Sequence, residues 1–371
     1  MDAPFPFLVY RDRIGAPSEL SFLRRQYVGF TRLRPIWTGR TLLPDAPAIG
    51  GSMLRLGGDG PTGALRRLLF RHLGVPPPIP VRGLAPVVHA QFARGGALAL
   101  PLARTLGAGL VVTLHGGDVS KRKNWRNTVL SRRWPALTRH AAWFVCVSRA
   151  VAEAALARGV PASKIMVLPI GVEVPARPPP PVPRTAHVFV GRFVEKKGIV
   201  VLADAMRLLR AEGDATPLVC IGDGPLRPAL ESLARDVPGI TLTGWLAPEA
   251  VQPHLASAVS LLVPSVIAAD GDAEGLPSVI PEAMAQACPV IGSDQGGIAE
   301  AVRSAETGLL VPPGNAAALA AAMRSLDVDT ALQARLGAAA FQAVATNLNA
   351  SLQSKMLEDV LLAVAAGQGA G

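Results

Sequence analysis

Two cations and two carboxylates in the second half of this sequence are spaced so that they could do chemistry on a sugar diphosphate. Arg192 and Lys197 lie in VGRFVEKKG, residues 190–198, directly after a short apolar run. Glu274 and Glu282 lie in VPSVIAADGDAEGLPSVIPEAMAQACPVIGSDQGGIAE, residues 263–300. A diphosphate leaving group gains negative charge as a glycosyl bond breaks, so fixed cations there stabilise the transition state more than the ground state. Gly191 and Gly198 allow backbone to approach an anion closely. Glu274 is followed by Gly275, Leu276 and Pro277 and so belongs to a loop. Ser278 is expected to cap a helix whose first turn holds Pro281 and Glu282. Carboxylates accept paired hydroxyl hydrogen bonds, which suits sugar hydroxyls at one glutamate and vicinal ribose hydroxyls at the other.

Other residues narrow the choice. IGDGPLR, residues 221–227, is a glycine turn containing Gly222 and Gly224, without the third glycine and later acidic residue of a dinucleotide fingerprint. A nicotinamide cofactor is therefore disfavoured, and no cofactor is expected. Asp270 and Asp272 form a DGD string, but its loop context argues against a metal site. LHGGD, residues 114–118, brings His115 and Asp118 to the end of an expected strand. Cys146, Cys220 and Cys288 are far apart, lack metal-ligand spacing and sit in or beside apolar runs, as buried thiols in a reducing compartment would.

Short apolar runs must position these groups. They fall at 7–10, 87–90, 110–115, 143–148 and 165–169, then at 187–191, 218–222, 240–244, 260–265, 289–293 and 309–312. Runs this short and apolar on both faces suit buried parallel strands, and the helical stretches between them predict α/β domains. PARPPPPVPR, residues 175–184, can form neither helix nor central strand and reads as a linker. The expectation is two Rossmann-like, doubly wound domains, 1–174 and 185–349, facing each other across a cleft, with a helical stretch 350–371 crossing back to the first. Ligands of such sheets bind at the carboxyl ends of the strands.

Charge is uneven. Residues 1–175 carry 24 Lys plus Arg against 8 Asp plus Glu, or +16, while the remainder carries 13 against 19, or −6. A basic half attracts nucleic acid, anionic lipid or a phosphorylated substrate. No nucleic-acid module or aromatic stacking platform accompanies it, so nucleic acid is not the expected partner. ALRRLLFRHLGV, residues 64–75, puts Leu69 and its neighbouring leucines on one face with Arg66, Arg67 and Arg71 elsewhere, as in an interfacial helix. KRKNWRNTVLSRRW, residues 121–134, interleaves Trp125 and Trp134 with cations. Both predict docking on an anionic membrane surface. The apolar start is too short for a signal peptide, and the stretch 95–114, broken by Pro101 and Arg104, reads as a buried helix followed by a strand. The expected location is the cytoplasm, peripheral on the inner face of the plasma membrane.

From Val190 to Gly314 the strings GRFVEKKG, GDGPLR, GW, VPS, EGLPSVIPEAMAQACPVIGSDQGGIAE and TGLLVPPGN follow in that order. This stretch resembles the donor domain of family-4 retaining glycosyltransferases of the GT-B fold, in the branch that builds bacterial exopolysaccharide and lipid-linked glycans. The resemblance implies a UDP- or GDP-sugar as donor. Arg192 and Lys197 would hold the diphosphate, Glu282 the ribose and Glu274 the donor sugar. The backbone at Gly275 and Leu276 would meet sugar and phosphate, and Gly191, Gly222 to Gly224 and Trp245 would surround the nucleotide. It further implies a histidine, here His115, beside the anomeric centre, while membrane docking by the basic half predicts a glycan or polyprenyl-diphosphate-linked acceptor. Ile170 replaces the asparagine of the family's PNGV string, and RIGAPSELSFLRRQ stands where a glycine-rich first loop is usual, making Gly15, Ser18 and Glu19 candidate cleft residues. The competing readings are a nucleotide-sugar sensor without turnover and a glycoside phosphorylase of the same architecture.

Overall fold

In the computed structural model, which describes residues 4–15 and 22–368, the apolar runs become strands. The chain divides into two units, Met1–Gly171 with Ala350–Gly371, and Val172–Asn349. The division thus falls just before the proline-rich stretch, which is counted with the second unit.

Seven strands build the main sheet of the first unit: β1 (Phe5–Tyr10), β3 (Leu33–Gly39), β5 (Ser52–Arg55), β6 (Val87–Gln91), β7 (Gly109–Leu114), β8 (Trp143–Cys146) and β9 (Ile165–Val167). Their order is β5-β3-β1-β6-β7-β8-β9, with every neighbouring pair parallel. Two short strands, β2 (Arg13–Ile14) and β4 (Thr41–Leu42), pair separately. The sequence reading missed β3 and β5 because neither is a continuous apolar run. LRPIWTG carries Arg34 and Pro35, and Pro35 falls one residue before the pairing of β3 with β5 begins at Ile36, where a missing amide is tolerated.

The stretch 95–114 is the buried helix Ala93–Thr105 followed by β7. The final helix, Ala350–Ala365, packs on β6 and β7. Its Glu358 is buried, and Oε1 accepts the backbone amides of Thr31, Arg32 and Leu33 at 2.9, 2.7 and 2.8 Å. One carboxylate thereby satisfies the amides that lead into β3, a charged acceptor worth more than a neutral one in a buried place.

The second unit has β10 (Ala186–Val190), β11 (Leu218–Ile221), β12 (Ile240–Gly244), β13 (Ala258–Val263), β14 (Val290–Ser293) and β15 (Leu309–Val311) in the order β12-β11-β10-β13-β14-β15, all parallel. This is the doubly wound arrangement, in which strand order reverses between the first and fourth strands, here β10 and β13. Alternate side chains enter cores on opposite faces. Phe189, Leu262 and Ile291 pack with helices Ile199–Ala211 and Ala316–Val328, whereas Val188, Leu261 and Val290 pack with Val279–Ala285 and Thr330–Asn347. Cys146, Cys220 and Cys288 are buried free thiols, and burial pushes each pKa up to about 12.

Candidate active site

At the strand-order reversal of the second unit, the loops leaving β10 and β13 are tied together. Gly198 has φ +70°, and a Cβ on it would lie 1.8 Å from the carbonyl oxygen of Pro264, so only glycine lets the two loops touch. Val266 donates its amide to Lys196 O at 2.9 Å, and Ala269 donates to Glu195 Oε1 at 2.9 Å. The glycine turn after β11 is pressed on the same loop: a Cβ on Gly222, at φ +135°, would lie 2.0 Å from Gly191 O. Gly222 in turn donates to Gly244 O at 2.8 Å, which sets half-exposed Trp245 just past the end of β12.

These ties concentrate charge. Lys197 Nζ lies 3.1 Å from Glu274 Oε1, and Lys196 Nζ lies 3.6 Å from the same oxygen and 3.3 Å from Asp272 Oδ1. The Glu274 side chain is only 10% exposed. Burial alone would raise its pKa, but Lys197 and then Lys196 outweigh burial and hold it below the ordinary carboxylate value. Lys196 is affected reciprocally: burial opposes its charge, and Glu274 and Asp272 raise its pKa overall. Arg192 is different. It is exposed, and no hydrogen bond or ion pair engages its guanidinium among the described residues.

Glu282 stands in the first turn of helix Val279–Ala285. Ser278 occupies the N-cap position as expected, but with helical angles (φ −60°, ψ −25°) and no capping bond from its side chain, which corrects the sequence expectation. The backbone of Gly275 and Leu276 lies under the start of helix Gly296–Ala301, where a Cβ on Gly297 would come within 1.7 Å of Gly275 O. Asp270 accepts the amide of Asp272 at 2.9 Å, so the DGD string is engaged in shaping its own loop and in holding Lys196. Sequence reasoning missed Lys196 and also Gln295, whose Nε2 donates to Ser265 O at 2.6 Å. The opposite charges of EKK and DGDAE were the available signal for Lys196.

In the first unit, His115 follows β7 and its ring packs between Phe92 and Phe22, with centroids 4.2 and 5.4 Å away. Burial first, then Arg11 and His89, lower its pKa to about 3, so the ring is neutral at ordinary pH. Its Nε2 lies 2.8 Å from Gln91 Oε1. Asp118 organises the loop itself: Oδ1 accepts the amides of His115 and Gly116 at 3.0 and 2.8 Å, and Oδ2 that of Ala93 at 2.8 Å. Burial raises its pKa, against the effect of those amides. Asp118 thus shapes the loop that carries His115. Gly15, at φ +98°, closes on Asp45 and Ala46, while Ser18 and Glu19 lie outside the described residues.

The helix Gly60–Leu73 buries only Gly63 and Phe70. Leu65, Leu68 and Leu73 are 55, 55 and 71% exposed, and Leu69 is half-buried. Arg66 is exposed, whereas Arg67 donates to Gly58 O and Arg71 is partly buried. Trp125 departs from the interfacial expectation. Its Nε1 donates to Val119 O at 3.0 Å, its ring meets Trp134 edge-on at 4.9 Å, and Arg158 covers it at 4.5 Å. The indole is half-buried, with its N–H and both ring neighbours supplied by the unit itself.

Comparison with known proteins agrees with this geometry. Residues 184–329 match the family described as glycosyl transferases group 1, and residues 62–174 match glycosyltransferase family 4. The amylovoran biosynthesis glycosyltransferase AmsK of Erwinia amylovora is 31% identical over 287 residues, 75% of this chain and 70% of that protein. WcaL of Escherichia coli (strain K12), provisionally named a colanic acid biosynthesis glycosyltransferase, is 35% identical over 263 residues, 66% of this chain and 63% of that protein. Among solved structures, Anabaena Alr3699/HepE in complex with UDP-glucose superposes with a TM-score of 0.77 at 17% identity, covering 97% of this chain and all of that one, a likeness of fold. With two reversing parallel sheets, a cation and carboxylate cluster at the second reversal, and matches across both halves, the chain belongs to glycosyltransferase family 4, within the glycosyl transferases group 1.

Proposed function

We propose that this chain transfers a hexose from a nucleoside-diphosphate sugar, with retention of configuration, to a glycan or polyprenyl-diphosphate-linked acceptor in cell-surface polysaccharide assembly. The observation that carries the reading is the pairing of Lys197 with Glu274 across the strand-order reversal, beside an Arg192 whose guanidinium no described residue engages. Arg192 and Lys197 receive the diphosphate, Glu282 the ribose hydroxyls, and Glu274 the sugar hydroxyls, while exposed Trp245 offers a ring face to the base. The backbone of Gly275 and Leu276 meets the sugar and phosphate, and His115 offers a neutral ring as a ligand contact. Two cations at the leaving diphosphate do the charge stabilisation a metal would otherwise do. Among the described residues, no group of three or more His, Cys, Asp or Glu side chains is placed to hold a metal ion.

A carboxylate ion-paired to Lys197 and Lys196 is a weakened nucleophile. We therefore favour attack on the same face from which the diphosphate departs, with a phosphate oxygen taking the acceptor hydroxyl's proton. The names of AmsK and WcaL support a polysaccharide product, and the UDP-glucose bound to the Anabaena protein makes uridine the first base to test.

The reading is tested by thermal denaturation with a panel of nucleoside diphosphates and their sugars, followed by product analysis. One nucleotide should raise the Tm by several degrees, since a hundredfold excess over Kd stabilises by about 2.7 kcal/mol. Released nucleoside diphosphate distinguishes transfer from phosphorolysis, and binding without release identifies a sensor. No shift at millimolar concentration with folded protein would remove the donor site.

We also propose that the helix Gly60–Leu73 rests on the anionic cytoplasmic face of the membrane, making the enzyme peripheral there. Its outward leucines beside Arg66, in the half of the chain with +16 charge, support this. Among the described residues no helix is long and apolar enough to cross a membrane. Replacing Leu65 and Leu68 together by Ser should lower partitioning onto phosphatidylglycerol vesicles by about a hundredfold, because each leucine contributes about 1.5 kcal/mol when buried. Equal partitioning of variant and wild type would exclude this helix.

A further inference from the structure

Beneath the loop carrying His115, the first unit buries a line of polar side chains whose hydrogen bonds run in one direction. His89 and Gln91 project from the same face of β6, and Thr113 is the register partner of Gln91 on β7. His89, Gln91 and Thr113 are at most 1% exposed, and Tyr27 and Gln26 are buried beside them. Burying so many polar groups is costly unless each finds a partner, and here each does.

The direction follows from what each atom can do. Gln91 presents Oε1 to His115 Nε2 at 2.8 Å and donates from Nε2 to the Tyr27 hydroxyl at 2.7 Å. Gln26 pairs amide to amide with Gln91 at 3.3 and 3.4 Å, in the sense that supports this orientation. Because Tyr27 accepts from Gln91, its own proton goes to His89 Nδ1 at 2.8 Å. His89 is neutral, since burial lowers its pKa to about 3, so it carries its single proton on Nε2 and donates to Thr113 Oγ1 at 2.7 Å. At the other end, an amide oxygen can only accept, so His115 carries its proton on Nε2. Its Nδ1 keeps a lone pair, and no described residue is seen to donate to it.

We propose that the relay Thr113, His89, Tyr27 and Gln91 locks His115 as the Nε2–H tautomer, so that Nδ1 accepts a hydrogen bond from a sugar hydroxyl and disfavours a sugar bearing a carboxylate at that point. The inference rests on His115 being a ligand contact of the transferase proposed above. Gln91 is a positioning residue here, acting through His115. A carboxylate oxygen brought against the Nδ1 lone pair would meet repulsion, whereas a hydroxyl supplies the missing proton. The specificity of the site is thus set from within the core, by side chains of which even Gln91 stands two hydrogen bonds from any ligand.

The test uses the full chain labelled with 15N-histidine and long-range 1H–15N correlation near neutral pH. His115 and His89 should both be neutral with the proton on Nε2. Thr113→Val, nearly isosteric, removes the terminal acceptor and should shift part of the His115 population to Nδ1–H, which a merely structural role would not do. Gln91→Glu places a carboxylate against Nε2–H. It should move His115 titration upward against the opposing charge of Arg11, with His89 neutral beside it, so that an Nδ1–H donor exists at neutral pH. With that variant, kcat/KM for a neutral-hexose donor should fall about tenfold relative to the corresponding uronate donor. A wild-type His115 that is charged or protonated on Nδ1 overturns the lock, as do spectra unchanged by both substitutions. Normal turnover by His115→Ala, with the Nε2–H tautomer present in wild type, would instead overturn the site assignment and leave the lock standing.

Discussion

Replacing Arg192 by alanine is expected to lower kcat by about 10²- to 10³-fold, corresponding to removal of one preorganised group at a developing charge. The guanidinium is exposed and unengaged among the described residues, so its removal leaves no buried partner behind and the Tm should hold. Lys197 already has Glu274 as a counterion, whereas Arg192 has none among the described residues. The leaving diphosphate therefore draws most on Arg192. Arg192→Lys should recover only part of the loss, because an ammonium lacks the planar fork that grips two phosphate oxygens. Steady-state kinetics with a saturating donor decides the matter. A kcat within threefold of wild type would place the diphosphate elsewhere.

Glu274→Gln is expected to lower kcat/KM by about 10²-fold, and unlike the arginine change it should also alter stability. The carboxylate accepts sugar hydroxyls in the proposed complex, and an amide offers one acceptor in place of two. It also leaves Lys196 and Lys197 crowded without their common counterion. The folded-state pKa of Glu274 lies below its ordinary value, so its contribution to stability is present above that ordinary value and is lost as pH falls through the depressed one. Wild type should therefore lose stability on acidification below about pH 4.5 more steeply than Glu274→Gln. Urea denaturation at pH 7 and pH 3.5 measures the difference. Parallel loss in both proteins would mean that Glu274 is not held by the lysines in solution.

Much of this was open to a reader of the sequence. The eleven apolar runs it offered all became strands, because a strand buried on both faces needs only a short, unbroken set of apolar residues and announces itself locally. The strands that escaped, β3 and β5, are those whose neighbours and register tolerate Pro35 and polar positions, a fact of pairing rather than composition. The meeting of Lys197 with Glu274 was legible for a similar reason. Loops that follow parallel strands end up at one edge of the sheet, so these two side chains come together once the strands are assigned.

What the amino-acid sequence by itself determined was the two doubly wound sheets, the family, and the residue types available for diphosphate and sugar. Tertiary structure alone decided which of those groups are already spoken for. Lys196 meets Glu274 because Gly198 lets the loop after β10 touch Pro264, and three backbone amides close on the Asp118 carboxylate. Trp125, which reads as an interfacial anchor in a basic tract, is half-buried against Trp134 and hydrogen-bonded to Val119. The tautomer of His115 depends on Tyr27, 88 positions away and brought beneath it by packing. Hydrogen-bond direction and charge pairing are set over a few ångströms in space, and distance along the chain carries no record of which residues will be those neighbours.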